Sequence, residues 1–203
     1  MGAKAGLIHL GGGIPAHALA GGPAFDPERS AALAATILGG PVAPAGARTL
    51  AEGGVWPERG TICVGAGEHT ALVGYAEICP DRPGTITDWI RAVAPGGDAH
   101  GVFMHSVVDF GAVAVWEHGE IRRSISLAPD SGVMDDLGDP LTFEAPFWNG
   151  DHAVDEDYPL PFHPLDFGEA ALLALFGFGI EGSPAAYAFD PGTVALPAFR
   201  PAG

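Results

Sequence analysis

His105, Ser106 and Asp109 place the three residue types of a hydrolytic triad within five positions. Such a triad works when an imidazole takes the proton of a hydroxyl nucleophile and a carboxylate holds the imidazole in place. Strand geometry opposes a local version, because neighbouring side chains point to opposite faces and an i to i+4 span is about 13 Å. No G-x-S-x-G elbow occurs to present a serine from elsewhere. The thiols of Cys63 and Cys79 are the other possible nucleophiles, yet both sit among apolar neighbours and read as inert core residues.

Gly177-Phe178-Gly179-Ile180-Glu181-Gly182 matches G-x-G-x-x-G letter for letter. The pattern binds a dinucleotide only between a strand and a helix, where its glycines bring a phosphate to a helix N-terminus. Here the glycines follow an apolar helical stretch and read as a helix C-terminal stop. Gly11-Gly12-Gly13 follows a strand but lacks the Gly-Lys-Ser/Thr of a phosphate loop, which leaves only a backbone anion nest to consider.

Arg123 carries more information. Alternation from Glu120 to Leu127 puts Ile121, Arg123, Ile125 and Leu127 on one face. A guanidinium on an apolar face must meet a carboxylate or an anionic ligand, because an unpaired buried charge is prohibitively costly. Between Trp148 and His163, two histidines, His152 and His163, lie among Asp151, Asp155, Glu156 and Asp157. With His105 they form the one metal-binding possibility, at spacings that match no zinc signature.

The elements needed to position these groups are legible in part. A strand is expected over 4–10. A helix over 26–38 has Asp26 as N-cap, Pro27 at its first position and Gly39-Gly40 at its end. Strands are expected at 61–64 and 71–75. A second helix over 86–94 is stopped by Pro95-Gly96-Gly97, with Thr85 and Asp88 spaced as a capping box. The segment 102–127 reads as a three-stranded meander, and a helix covers 166–176. Residues 41–60 and 129–164 read as connectors, and 193–196 as an edge strand. With His118-Gly119 as a two-residue turn, Glu117 faces Glu120 and Ala114 faces Arg123. Depending on whether the turn at Asp109-Phe110 has two or three residues, His105 or Ser106 completes that row. With His105 the row forms a cationic notch for a carboxylate or phosphate.

Composition sets the outer bounds. A formal charge of −16 arises mainly because only eight Arg and one Lys oppose 25 acids. The lone adjacent basic pair, Arg122-Arg123, cannot neutralise a phosphate backbone, so nucleic acid is an unfavourable partner. No apolar run reaches the roughly 18 residues of a membrane span. These features predict a soluble, acidic, cytoplasmic α+β protein with 1–203 as one domain, an antiparallel sheet at its centre, reduced thiols and no cofactor.

Met1-Gly2-Ala3-Lys4, His105-Ser106-Val107-Val108-Asp109, Ala114-Val115-Trp116, Arg123-Ser124, Pro129-Asp130, Phe143-Glu144-Ala145-Pro146, Trp148 and the run Tyr158-Pro159-Leu160-Pro161-Phe162-His163-Pro164-Leu165 resemble an uncharacterised actinobacterial family, a domain of unknown function. The similarity is best over 100–182. It implies no activity, so no catalytic role passes to any residue. The function expected is a non-catalytic binding or interaction domain, with a pocket or partner surface formed by the meander face and the 129–164 loop. Its ligand-binding candidates are His105, Arg123, Asp130, Glu144, Trp148 and His163, for a small anionic ligand or a protein partner. The alternative is a small metal-assisted hydrolase using His105, His152 and His163, or an acid/base enzyme pairing one histidine with Glu144 or Asp130.

Overall fold

A computed structural model describes residues 2–94 and 96–203. Its centre is one antiparallel sheet, with nine strands among the described residues: β1 Lys4–Leu10, β2 Val42–Thr49, β3 Ile62–Ala66, β4 Ala71–Gly74, β5 Ala99–His105, β6 Phe110–Glu117, β7 Glu120–Ala128, β8 Gly132–Leu137 and β9 Ala195–Pro201. Their spatial order is β2-β9-β3-β4-β1-β5-β6-β7-β8. The sheet is apolar on both faces, so the chain has two core layers. One joins Leu7, Val102, Met104, Val113, Ile125 and Leu127 to helices α1 Pro15–Ala20, α4 Ala145–Trp148 and α5 Pro164–Ala171. The other joins Ile8, Ile62, Val64, Phe103, Ala114 and Trp116 to helices α2 Pro27–Leu38 and α3 Thr87–Val93.

Helix α2 forms as its sequence predicts. The Asp26 carboxylate accepts the Arg29 N–H, and Gly39 takes the left-handed conformation (φ 72°) that ends the helix. Ser30, fully buried, anchors α2 to the sheet by accepting the Ala66 N–H at 2.9 Å. α3 begins differently from expectation: a short 3-10 turn from Pro83 to Ile86 precedes it, and the Thr85 hydroxyl donates to the Arg82 carbonyl instead of closing a capping box. Pro95 of its expected stop lies outside the described residues. α5 starts two residues early, capped by His163, whose Nδ1 accepts the Leu165 N–H. It lies so close to the sheet that Gly111, opposite the Pro164 carbonyl, and Gly168, against the Met104 sulfur, have no room for a side chain.

Three strand expectations need correction. The 41–60 connector contains β2, and the 129–164 connector contains β8. β2 carries Pro44 and a register shift between Pro44 and Ala47, both compatible with its place at the sheet edge and both destructive of alternation. β9 is an interior strand, not an edge, because β2 pairs on its outer side.

The turns around β6 set the site register. His118 (φ 53°) and Gly119 (φ 78°) make the expected two-residue turn, with Glu117 opposite Glu120. A bulge then places Arg122 out of register, so Arg123 faces Val115 and not Ala114. The β5–β6 turn has neither expected length: His105 faces Phe110 across four residues, with Asp109 at φ 46°. Arg123's row is therefore Val115, His100 and His9. By alternation along β5, His105 points to the opposite face, and the expected cationic notch does not form.

Arg123, with no exposed surface, meets Glu144 in a two-point ion pair, Nε to Oε1 at 2.8 Å and Nη2 to Oε2 at 2.6 Å. Nη1 donates to Asp136 Oδ1 at 2.5 Å and to the carbonyls of Leu137 and Gly138. Glu144, equally buried, also accepts the Leu141 N–H and the Trp148 indole N–H. Arg123→Ala should cost about 3–5 kcal/mol by stranding the Glu144 carboxylate, while Arg123→Met with Glu144→Leu should cost less than either single change. Urea midpoints of the three variants check this.

Candidate functional site

The sheet face under α2 and α3 is unevenly covered. α3 sits at the Trp116 end of β6, where the Trp116 indole donates to Thr87 Oγ1 and Arg91 reaches the Gly119 carbonyl and Glu120. At the opposite end of the same strands a cleft of about 1210 Å³ opens. Its floor is the row His105, Phe110 and Ala128 with Met134 of β8 beside it. One wall is the 56–59 segment entering β3, another is the 76–81 segment leaving β4, and Val108, Asp130 and Ser131 rim it from the adjoining turns.

The aromatic wall is held from two sides. Trp56 meets the His105 ring edge-on, with centroids 5.4 Å apart, and the Lys4 ammonium stands 5.9 Å from the Trp56 ring. His105 Nδ1 is shielded from solvent and has no hydrogen-bond partner among the described residues. Glu58 is neutralised by Arg48 at 2.9 Å and Arg200 at 2.8 Å. A bond to its own backbone N–H and those of the two guanidinium groups hold its carboxyl below the ordinary value. Glu77 accepts from the Tyr75 hydroxyl and the Gly60 N–H, which hold its carboxyl low in the same way. Burial pushes the Cys79 thiol up to about 12, and that of Cys63, outside the cleft, up to about 11. Neither is a ready nucleophile.

The sequence-derived candidates are divided between the two faces. His105 and Asp130 line the cleft. Arg123, Glu144 and Trp148 belong to the ion-pair network on the other face, where every charged group is satisfied internally. The 129–164 segment is divided in the same way: Phe147, Phe162 and Trp148, packed edge-on, cover the Arg123 face, while Asp130, Ser131 and Met134 join His105 and Phe110 in lining the cleft. His163 caps α5, packs on Tyr158 and lies 3.8 Å from Asp109. His152 stacks on Phe147 at 4.1 Å. The expected His105, His152 and His163 metal set is thus dispersed, and no group of three or more metal-ligating side chains converges among the described residues.

The two glycine motifs are also accounted for. Gly177 ends the helical stretch in the left-handed conformation (φ 79°), and the Ile180 and Glu181 amides donate to the Glu169 carboxylate. Beside Gly12 stands the Asp98 carboxylate, which repels any anion from Gly11-Gly12-Gly13.

Trp56, Arg59, Glu77 and Asp81 escaped the sequence reading because they come from loops with no motif. So did His9 and His100, which pair across β1 and β5 with ring centroids 5.8 Å apart. His9 Nε2 lies 2.6 Å from the Thr70 hydroxyl, and burial, then the nearby His100, push its imidazole down to about 4 from 6.5. Burial lowers His100 as well. Between pH 6.5 and 4 the unfolded chain takes up protons that the folded chain refuses, so stability is full above 6.5 and falls with pH across this window. His9 alone should contribute a loss of about 3 kcal/mol. Urea unfolding at pH 7, 5.5 and 4.5 should show it, and His9→Gln should flatten the trend. At pH 8, iodoacetamide should modify Cys63 and Cys79 roughly tenfold or more slowly in the native protein than in urea.

No helix among the described residues is long and apolar enough to cross a membrane. No curated protein and no solved structure matches the chain. A model of a family of unknown function, DUF6928, matches residues 6–199, nearly the whole length, and the chain belongs to that family.

Proposed function

We propose that the chain is a non-catalytic ligand-binding domain, acting as one unit, whose ligand occupies the cleft between Trp56, His105, Phe110 and Met134. The observation that carries this reading is a large concavity that joins an apolar floor of Phe110, Ala128 and Met134 to the polar side chains of Glu58, Arg59, Glu77, Asp81 and Asp130. Ligand sites combine an apolar lining with a few convergent polar groups in this way. In this reading the strands β5 to β7 floor the site through the face opposite Arg123.

Catalysis is the weaker reading. His105 and Asp130 line one cleft, but among the described residues His105 Nδ1 has no carboxylate or carbonyl to fix its tautomer, and burial holds the Cys79 thiol protonated. The two free cysteines favour a reducing, cytoplasmic setting.

Native mass spectrometry of protein purified from its own cells tests the reading by looking for a co-purified small molecule. Trp56→Ala should remove that ligand while leaving the urea midpoint within about 1 kcal/mol of the parent, since Trp56 is half-buried at the rim. A ligand retained unchanged in Trp56→Ala would refute the assignment of the site.

A further inference from the structure

We infer that the chain carries a second ligand site, for a small aromatic molecule without negative charge, in a pocket that shares no lining residue with the cleft. The inference goes beyond the binding reading above and does not depend on it.

The pocket lies at the β2–β9 end of the sheet, remote from β7. It opens between the 50–54 turn that follows β2 and the 179–191 segment that leads to β9. Its volume, about 570 Å³, falls within the roughly 300–1,000 Å³ of small-molecule sites. Leu50 and Val55 at its base are core residues, and Tyr187 and Phe189, half-buried, pack against the same core layer. Pro184 and the exposed Ile180 extend the apolar lining to the rim. A ligand seated here covers apolar surface that now faces water, which is the driving force for binding. The two aromatic rings favour an aromatic occupant, because rings pack edge-on or offset with gains beyond area alone.

The walls are fixed before any ligand arrives. Glu169 of α5 accepts the Ile180 and Glu181 N–H groups at 2.9 and 3.2 Å. The Tyr187 hydroxyl donates to the Gly182 carbonyl at 3.1 Å, and Asp190 Oδ1 accepts the Gly192 N–H at 2.8 Å. On the other side the Leu50 N–H donates to the Val194 carbonyl at 3.0 Å, and the Thr49 hydroxyl accepts the Glu52 N–H at 3.1 Å. Both loops are therefore tied by their own hydrogen bonds. Binding need not order them, and that entropic cost is avoided.

Charge narrows the class. Among the described residues Asp190 is the one charged side chain that lines the pocket, and no basic side chain lines it. Glu169, behind the 180–181 amides, and Glu181 add negative charge beside it. The stem of Arg48 passes Gly53 of the 50–54 turn, but its guanidinium turns to Glu58 in the cleft wall, at 2.9 Å. A carboxylate or phosphate entering the pocket would lose its water and face Asp190 with no cation to offset either cost. A neutral or ammonium-bearing aromatic meets neither obstacle.

The test is a fluorine NMR titration at pH 7 with 5-fluoroindole, 5-fluorotryptamine and 5-fluoroindole-3-acetate, one ring system in three charge states. The indole and the amine should bind, and the acetate at least about tenfold more weakly. Ala51→Phe, at an exposed position in the lining, should fill the pocket and weaken the first two at least about tenfold. Val108→Trp, which crowds the cleft from an exposed turn, should leave them unchanged. Asp190→Asn keeps an oxygen for the Gly192 amide while removing the charge, and should narrow the gap between the acetate and the indole. Urea midpoints verify that each variant folds. Failure of both the indole and the amine to bind overturns the proposal, as does equal affinity for all three probes. Binding lost in Val108→Trp but kept in Ala51→Phe also overturns it, and assigns the probes to the cleft.

Discussion

A guanidinium without exposed surface sits inside the apolar face of β7, and much of the molecule is arranged to satisfy it. Arg123 needs acceptors for its N–H groups, and none exist on neighbouring positions of the sheet face. They come from the end of the neighbouring strand β8, through Asp136 and the carbonyls of Leu137 and Gly138, and from Glu144 just before α4. The Glu144 carboxylate in turn holds the Leu141 amide and the Trp148 indole, so one ion pair draws a turn-rich segment over the sheet. The aromatic cluster of Phe143, Phe147, Phe162 and Phe167 packs in behind it. Because that face is sealed, the open surface lies on the other side.

The cleft is a consequence of how two short helices share the second face. α2 is tied to β3 through Ser30, and α3 is tied to the Glu117–Glu120 turn through Arg91. Neither reaches the row of His105 and Phe110. The loops at 56–59 and 76–81 stand up as walls and leave the space between them empty. Edge protection bears on the same region. β8 ends the sheet with Asp135 buried against Ser124, with the exposed Asp136 reaching Arg123, and with its Met134 carbonyl occupied by Arg82. A buried charge and an occupied backbone carbonyl discourage strand addition at this edge.

The deepest titratable groups are separate from both features. His9 and His100 lie in the same cross-strand row as Arg123 but carry no charge to pair with it, since burial holds both neutral near pH 7. One sheet face thus holds a charged residue with each of its three guanidinium nitrogens hydrogen-bonded beside two histidines kept neutral by desolvation. The difference follows from intrinsic pKa: arginine cannot shed its proton and must be paired, whereas histidine can.

The sequence by itself determined what depends on neighbours in the chain. Asp26, Pro27 and Gly39 delimit α2, His118-Gly119 makes a tight turn, and alternation in β7 puts Arg123 on an apolar face, which requires an acceptor within the fold. Only the tertiary structure decided the partner, Glu144, which is 21 residues away. It also decided the register, because the bulge at Arg122 and the four-residue β5–β6 turn move Arg123 opposite Val115 and His105 to the other face. β2 and β8 stayed hidden because proline, glycine and charged residues interrupt their alternation, and β9 lies inside the sheet because β2 returns to cover it. Trp56, Arg59, Asp81, His105 and Asp130 come from four separate segments. Nothing local marks them as a site, since what unites them is the packing of distant strands and the helices that stop short of one another.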